Sequence, residues 1–216
     1  MSIEYRMMNP PNHGWIEIEL DDRLKKHLWD CVEAAGDKKN AKPELVGQID
    51  KSYAIEDLNN FFWKHLLSRC VDTYRQHYGC DPVKAPVKKD LVPYLDEMWV
   101  NYQNKHEYNP IHNHGGVYSF VVWLTIPTEY QDQAKLSNAS DSISNWNSCF
   151  AMHYTDSLGR LRCVKYEMGE QWRGKMLFFP ASMNHEVFPY YECDDQRISI
   201  SGNIWMKEST NTNDIS

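Results

Sequence analysis

The chain has 216 residues, of which 42% are hydrophobic and 13% are aromatic, so it has enough apolar material for a packed core and is not disordered throughout. Its formal net charge of −7 argues against tight, sequence-independent binding of nucleic acid, which needs a basic surface. No apolar run approaches the ~20 residues that cross a bilayer, and no signal pattern opens the chain, so we expect no membrane segment and a cytoplasmic location.

Residues 1–92 are predicted to form an N-terminal support region of one strand and two helices. Apolar and acidic residues alternate over 15–20, which predicts an edge strand, and the aspartates that follow can cap a helix over 22–35. A polar connection over 37–52 then leads to a second helix over 55–78.

Residues 93–206 are predicted to form a β-rich core. A strand is expected over 98–102, and the continuous apolar run over 117–124 indicates a strand that is buried on both faces. The polar stretch 128–145 shows no period and is too long for an ordinary hairpin turn, so it is interpreted as a lid over a substrate or as a surface loop. A β-hairpin is expected over 146–168.

Two helices followed by seven or eight strands indicate a mainly β protein with N-terminal helices, of jelly-roll architecture. The last residues, 207–216, are polar and are expected to be a frayed tail.

A pair of histidines lies just before the apolar run of the core. His112 and His114 occupy positions i and i+2, which project from the same face of an extended chain and can therefore hold one metal ion. Pro110 restricts the backbone before them, and Gly115 and Gly116 permit a tight turn after them. Alone, such a pair is more often two exposed loop histidines.

Three residues much further along the chain, His185, Arg197 and Ser199, make the motif more specific. A buried strand ends at Pro180, and His185 opens the next strand. Further on, Arg197 and Ser199 share one face of a strand, where a guanidinium and a hydroxyl are suited to binding a carboxylate.

The order of these motifs over residues 94–206 resembles the 2-oxoglutarate and Fe(II)-dependent oxygenase superfamily, and within it prolyl-hydroxylase-like members. The resemblance implies a double-stranded β-helix (jelly roll), one Fe(II) ion bound by His112 and His185, and 2-oxoglutarate as co-substrate. It also implies that Arg197, with Ser199 alongside, binds the distal carboxylate of 2-oxoglutarate. Tyr102 is a further candidate for binding the co-substrate, although an ordinary core tyrosine is an equally good interpretation.

The chain departs from the family pattern at His114, where the usual motif has an aspartate or glutamate. We expect His112, His114 and His185 to bind the metal together. The alternative is that water or a carboxylate completes the site, with Glu107 and Glu186 the nearest acids in the sequence. A site with so many nitrogen ligands can also carry Zn, Ni or Co.

The expected function is hydroxylation or another oxidation of a small molecule or a protein side chain, with succinate and CO2 as co-products and with catalysis carried by His112, His114, His185 and Arg197. Two alternatives stay open. One is a three-histidine dioxygenase of the cupin type that needs no 2-oxoglutarate, and the other is a non-catalytic, metal-binding jelly roll.

Overall fold

The computed structural model describes residue 6, residues 12–36, residue 41, and residues 47–82 and 90–209. Its strands form a six-stranded sheet in the order β1-β8-β5-β10-β3-β2 and a four-stranded sheet in the order β4-β9-β6-β7. The ten strands are β1 Ile16–Glu19, β2 Lys51–Ile55, β3 Leu91–Gln103, β4 Asn109–His112, β5 Tyr118–Thr125, β6 Cys149–Thr155, β7 Leu161–Glu167, β8 Lys175–Pro180, β9 Asn184–Val187 and β10 Arg197–Glu208.

In the part of the chain that the structure describes, three α-helices accompany the sheets: α1 Asp22–Ala35, α2 Ser68–Tyr78 and the single turn α3 Tyr130–Gln133. As predicted, α1 is capped by Asp21, whose carboxylate accepts a hydrogen bond from the backbone N–H of Leu24 at 2.8 Å, and it is followed by Gly36. Among the described residues, no helix is long and apolar enough to cross a membrane.

The six-stranded sheet is the middle layer of the molecule, because β5 buries both of its faces. Phe120 and Val122 belong to the core cluster that includes residues of α1 and α2, whereas Val121 and Trp123 belong to the cluster shared with the four-stranded sheet. The prediction of a strand buried on both faces is therefore confirmed.

The predicted second helix begins later than expected. Residues 51–55 form β2, which pairs with β3, and a 3-10 turn follows over Leu58–Asn60. The carboxylate of Asp57 accepts hydrogen bonds from the backbone N–H groups of Phe62 and Trp63, at 2.9 and 2.8 Å, so the helical segment starts just beyond this cap. Its first part, Trp63–Leu67, is π-helical and continues into α2.

The stretch 128–145 is not a lid over the central cavity, since none of its residues lines that cavity. Its amide side chains fix it elsewhere: the side chain of Gln133 donates to the carbonyl of Tyr191 and accepts from the N–H of Tyr191, both at 2.8 Å. Asn147 in turn donates to the carbonyl of Gln133 at 3.2 Å. The polar composition therefore reflects a hydrogen-bonded structure without regular strands.

Two other predictions concern the hairpin and the C-terminal tail. The hairpin is confirmed as β6 and β7, whereas the tail is shorter than predicted, because residues 207 and 208 belong to β10. Residues 210–216 lie outside the described residues, and so do most residues of the predicted connection over 37–52. The division into a support region and a core stays a prediction. Both β1 and β2 join the six-stranded sheet.

Candidate metal and co-substrate site

The three predicted histidines come together between the two sheets. His112 ends β4 and lies directly across from His185 in the antiparallel pair of β4 and β9. His114 follows in the loop, where its N–H donates to the carbonyl of Ala181 at 2.8 Å. One ligating atom from each of the three rings lies within 4.8 Å of the other two, which makes the group able to hold a metal ion.

The loop after the histidines needs its two glycines. Gly116 has φ of +90°, and a Cβ there would lie 2.8 Å from the carbonyl oxygen of Ile204. A Cβ on Gly115 would lie 3.0 Å from the ring of Trp205. The glycine pair therefore lets the chain pass close against β10 and hold His114 near the other two rings.

Backbone carbonyls set the tautomers of two of the rings. Nδ1 of His112 lies 2.7 Å from the carbonyl oxygen of Pro110, and Nδ1 of His185 lies 3.0 Å from that of Met183. A carbonyl only accepts, so each Nδ1 carries the proton and each Nε2 keeps a free lone pair. Such a hydrogen bond on the far nitrogen is typical of metal-binding histidines.

The spacing of the nitrogens fits one divalent ion. Nε2 of His114 and Nε2 of His185 are 3.1 Å apart. Two nitrogens that each lie about 2.1 Å from an ion, at right angles to each other, are separated by about 3.0 Å. The residues present therefore suit a first-row metal.

Burial keeps these histidines uncharged, as metal ligands must be. Desolvation lowers the pKa of His112, lowers the pKa of His114 to about 3 and holds the pKa of His185 well below its ordinary value. The ring of His185 is packed beside Phe150 and Phe179, and the ring of His114 lies 5.5 Å from that of Trp99.

Neither nearby acid completes the group of histidines. Glu107 accepts hydrogen bonds from the backbone N–H groups of Asn104 and Asp50, at 2.7 and 3.0 Å, and so fixes a turn. Glu186 lies 2.8 Å from Nε2 of His153. Among the described residues, the cluster of ligating groups at this place contains only histidines.

Arg197 lies on the wall of the same cavity and is 1% exposed. Its guanidinium donates to Oγ of Ser148 at 2.6 Å and to Oε1 of Gln103 at 3.3 Å, and it lies 5.3 Å from the ring centre of Tyr190. No carboxylate of the described residues lies within ion-pair distance, and Nε has no partner there. Burial lowers the pKa of Arg197 to about 10, so the group is still charged at neutral pH.

The cavity has a volume of about 250 Å³ and a floor made by two paired strands. Alternate residues of β10 and β3 face it, because successive side chains point to opposite faces of a sheet. The cross-strand pairs on this face are Arg197 with Gln103, Ser199 with Asn101, Ser201 with Trp99, and Asn203 with Glu97. Ser199 is thus beside Arg197 in the cavity, as the sequence predicts.

Tyr102 does not reach this cavity, so of its two interpretations the ordinary core tyrosine agrees with the structure. It lies between Asn101 and Gln103, so its side chain leaves the opposite face of β3 and packs against the core on the helix side, with its ring 6.1 Å from that of Tyr53. Its neighbours Asn101 and Gln103 line the cavity instead. The alternation along β3 is the signal that could have identified them.

Comparisons with known proteins agree with this geometry. Residues 97–203 match the profile of the family described as "Putative 2OG-Fe(II) oxygenase". This segment is about half of the chain and includes the three histidines, Arg197 and Ser199. A search of curated protein sequences finds no match.

Three solved structures are similar to this chain at low sequence identity. A prolyl hydroxylase from Trichoplax adhaerens, solved with a peptide fragment of the hypoxia inducible factor oxygen degradation domain, is 15% identical, with a TM-score of 0.52 over 91% of this chain and 84% of that one. A Pseudomonas putida prolyl-4-hydroxylase is 13% identical, with a TM-score of 0.49 over 91% and 94%. An oxidoreductase of the 2OG-Fe(II) oxygenase family from Burkholderia pseudomallei is 11% identical, with a TM-score of 0.48 over 88% and 84%.

At this identity, the likeness to the Trichoplax protein concerns the fold alone. It confirms the predicted double-stranded β-helix, formed here by two facing antiparallel sheets. The family implies Fe(II) and 2-oxoglutarate, and the three-histidine cluster offers a place for the metal. The chain belongs to the 2-oxoglutarate and Fe(II)-dependent oxygenase superfamily and is an oxygenase of that superfamily.

Proposed function

We propose that this enzyme oxidises a C–H bond of a substrate while it converts 2-oxoglutarate and O2 to succinate and CO2. One oxygen atom of O2 enters the substrate and the other enters succinate. His112, His114 and His185 hold the iron, and Arg197 and Ser199 bind the distal carboxylate of 2-oxoglutarate. Together, the bound iron and 2-oxoglutarate supply an oxidant strong enough to attack an unactivated C–H bond.

The observation that carries this proposal is the buried, positively charged Arg197 in the cavity of the three histidines. A buried charge is costly unless it is paired, and this guanidinium has only neutral partners among the described residues. A carboxylate ligand would supply the missing negative charge and accept the hydrogen bonds that Arg197 can still donate. A dicarboxylate meets both needs of the cavity, because one carboxylate pairs with Arg197 and the other end of the molecule reaches the metal.

The side chains around the histidines shield the reacting groups from water. Phe150 and Phe179 are both 1% exposed and line the cavity, and Trp99 is 5% exposed. Removing water strengthens the electrostatic interactions inside the cavity and protects a reactive oxidant from side reactions. The hydrogen bonds to the carbonyls of Pro110 and Met183 hold the rings of His112 and His185 in one orientation.

We infer that the substrate class includes protein side chains, since the Trichoplax prolyl hydroxylase was solved with a peptide. The six cysteines form no disulfide, which supports a reducing compartment and thus a cytoplasmic location. Since three neutral nitrogens bind the later first-row metals tightly, we expect the purified protein to contain Zn, Ni or Co unless it is prepared with Fe(II).

One specific observation favours a second candidate function. The ligand set has no carboxylate, as in three-histidine dioxygenases of the cupin type, which use no 2-oxoglutarate. In that case Arg197 would bind a carboxylate of the substrate itself. A non-catalytic metal-binding role predicts no oxygen uptake by the iron-loaded protein.

The deciding experiment measures O2 uptake and succinate with the Fe(II)-loaded chain, with and without 2-oxoglutarate. We expect succinate to form slowly even without substrate. Its formation should require 2-oxoglutarate, His112 and His185. His153→Ala is the matched control, because His153 is bonded to Glu186 on the same sheet and does not belong to the cluster of ligating groups. Oxygen uptake that is independent of 2-oxoglutarate would favour the cupin-type reaction, and no uptake would favour the non-catalytic role.

A further inference from the structure

The floor of the cavity has opposite charges at its two ends. Arg197 opens the row of side chains on β10, and Asn203, which pairs with Glu97, ends it. These positions on β10 are six residues apart, which corresponds to about 20 Å along a strand. 2-Oxoglutarate has five carbons and bridges only part of this length, so the half of the floor around Glu97 remains for the substrate.

Glu97 is exposed at the mouth of the cavity and is held in place by a buried neighbour. Its Oε1 accepts a hydrogen bond from Nδ2 of Asn203 at 2.6 Å, and Asn203 is 4% exposed. A carboxylate only accepts, so this bond fixes the orientation of the amide. Oδ1 of Asn203 is consequently buried without a hydrogen-bond partner among the described groups.

The neighbourhood of Glu97 therefore offers acceptors and lacks donors. No lysine or arginine of the described residues lies within ion-pair distance of Glu97. The unpartnered amide oxygen of Asn203 requires a donor as well. A group that carries a positive charge and several N–H donors meets both requirements, whereas a hydroxyl meets only one and an anion meets neither.

We propose that Glu97 binds a cationic nitrogen group of the substrate, an ammonium or a guanidinium, and that Asn203 positions the carboxylate for it. This inference rests on the proposed function, and it names the substrate class: an amine or guanidine, either a lysine or arginine side chain or a small molecule. The net charge of −7 favours the approach of such substrates over anionic ones.

The position of Glu97 also orients the substrate. His114 packs against Trp99, which is two residues from Glu97 on β3, whereas Arg197 is paired with Gln103 at the other end of the row. Glu97 and Arg197 thus lie on opposite sides of the histidines. Two residues correspond to about 6.6 Å along the strand, so the oxidised carbon is a few bonds away from the cationic nitrogen.

The test compares probes that differ in charge. Binding of N-acetyl-lysine methylamide and N-acetyl-arginine methylamide is measured by NMR titration against the neutral N-acetyl-norleucine methylamide and the anionic N-acetyl-glutamate methylamide. Butylammonium and butylguanidinium are titrated in parallel to separate a peptide source from a free amine. The full chain is used both as purified and loaded with Zn2+ and 2-oxoglutarate, and binding of 2-oxoglutarate is measured in the same samples.

The variants are Glu97→Gln, which keeps the shape of the side chain, and Asp96→Asn as the matched control, which removes the same charge from the adjacent position that does not line the cavity. In the wild type and in Asp96→Asn we expect the cations to bind at least about fivefold more tightly than the neutral probe. In Glu97→Gln this preference should fall to less than about twofold, and in the wild type 0.5 M NaCl should reduce it.

Equal binding of the charged and neutral probes to the wild type would overturn the inference, and so would a preference that survives in Glu97→Gln. If 2-oxoglutarate binds normally in that case, the proposed function stands and only the substrate class is wrong. A different result is that the cations bind through Glu97 while neither binding of 2-oxoglutarate nor formation of succinate is detected. In that case the cation site stands and the proposed function fails.

Discussion

Replacing Arg197 by methionine should weaken co-substrate binding strongly and change the stability of the ligand-free chain little. Methionine has a similar length and is apolar, so the substitution removes a buried charge that has no ionic partner among the described residues. Replacing buried charges by well-packed apolar side chains is often neutral or stabilising. We therefore expect the free energy of unfolding of the ligand-free chain to fall by less than about 1 kcal/mol, or to rise.

The loss of affinity follows from the hydrogen bonds. A charge-assisted hydrogen bond contributes about 1.5–3 kcal/mol, so the dissociation constant of 2-oxoglutarate should rise about 10- to 100-fold. At a concentration 100 times the wild-type dissociation constant, 2-oxoglutarate stabilises the wild type by about 2.7 kcal/mol. At the same concentration it should stabilise the variant by only about 0.4–1.4 kcal/mol.

The assay is thermal unfolding of the Zn2+-loaded chain with and without 2-oxoglutarate. For a domain of this size, 1 kcal/mol changes Tm by about 2–4 °C, so the wild type should gain about 5–10 °C and the variant about 1–5 °C. Arg197→Lys keeps the charge but not the planar fork of the guanidinium. Its gain in Tm with 2-oxoglutarate should therefore lie between those of the wild type and Arg197→Met. Arg173→Met is the matched control, since Arg173 is half exposed and pairs with Glu170.

A purely structural role for Arg197 predicts the reverse. The ligand-free variant would then lose several kcal/mol, because the hydrogen bonds of Arg197 to Ser148 and Gln103 would stabilise the fold by more than its buried charge costs, while the stabilisation by 2-oxoglutarate would be unchanged in the fraction that folds. That pair of results would refute the reasoning about the site.

Three further predictions concern other positions. His114→Ala should lose most of its metal and His114→Asp should keep iron with reduced turnover, as measured by metal content and succinate yield; full occupancy and activity in His114→Ala would show that His114 is not a ligand. Tyr102→Phe should leave the affinity for 2-oxoglutarate unchanged within about twofold, since the side chain faces the helix-side core; a tenfold loss in a titration would contradict the placement. Asp57→Ala should lower Tm by about 5–15 °C through the loss of two buried capping bonds, worth about 2–4 kcal/mol, whereas Asp22→Ala, at a side chain that is 97% exposed, should have little effect.

Much of this site could be predicted from sequence because its parts are local. The i, i+2 spacing of His112 and His114 and the alternation of Arg197 and Ser199 each need only the period of an extended chain. Their assembly depends on pairing between distant strands: His185 lies across from His112 although 73 positions separate them in the chain. Only the resemblance to a known family predicted that these parts form one site.

Three places show what the sequence pattern could not decide. Tyr102 was a reasonable candidate by chemical type, but which residues of a strand face a cavity depends on the register, and one position changes the face. Residues 51–55 carry no strong alternation and become a strand because β3 offers them a pairing edge. The stretch 128–145 has no period because it consists of short backbone turns, which amide side chains such as that of Gln133 tie to the rest of the chain.

The substitution of histidine for a carboxylate changes the electrostatic balance of the whole cavity. With an acidic ligand, a divalent ion and Arg197 would together leave a net charge of +2, which a dianionic co-substrate balances. With three neutral histidines the same groups carry +3, so one positive charge remains after 2-oxoglutarate binds. Glu97 at the mouth supplies a negative charge that can either offset this excess or bind a cation of the substrate. The preference for the lysine probe over the norleucine probe distinguishes these two uses, because a carboxylate already engaged by the charge of the cavity would show no such preference.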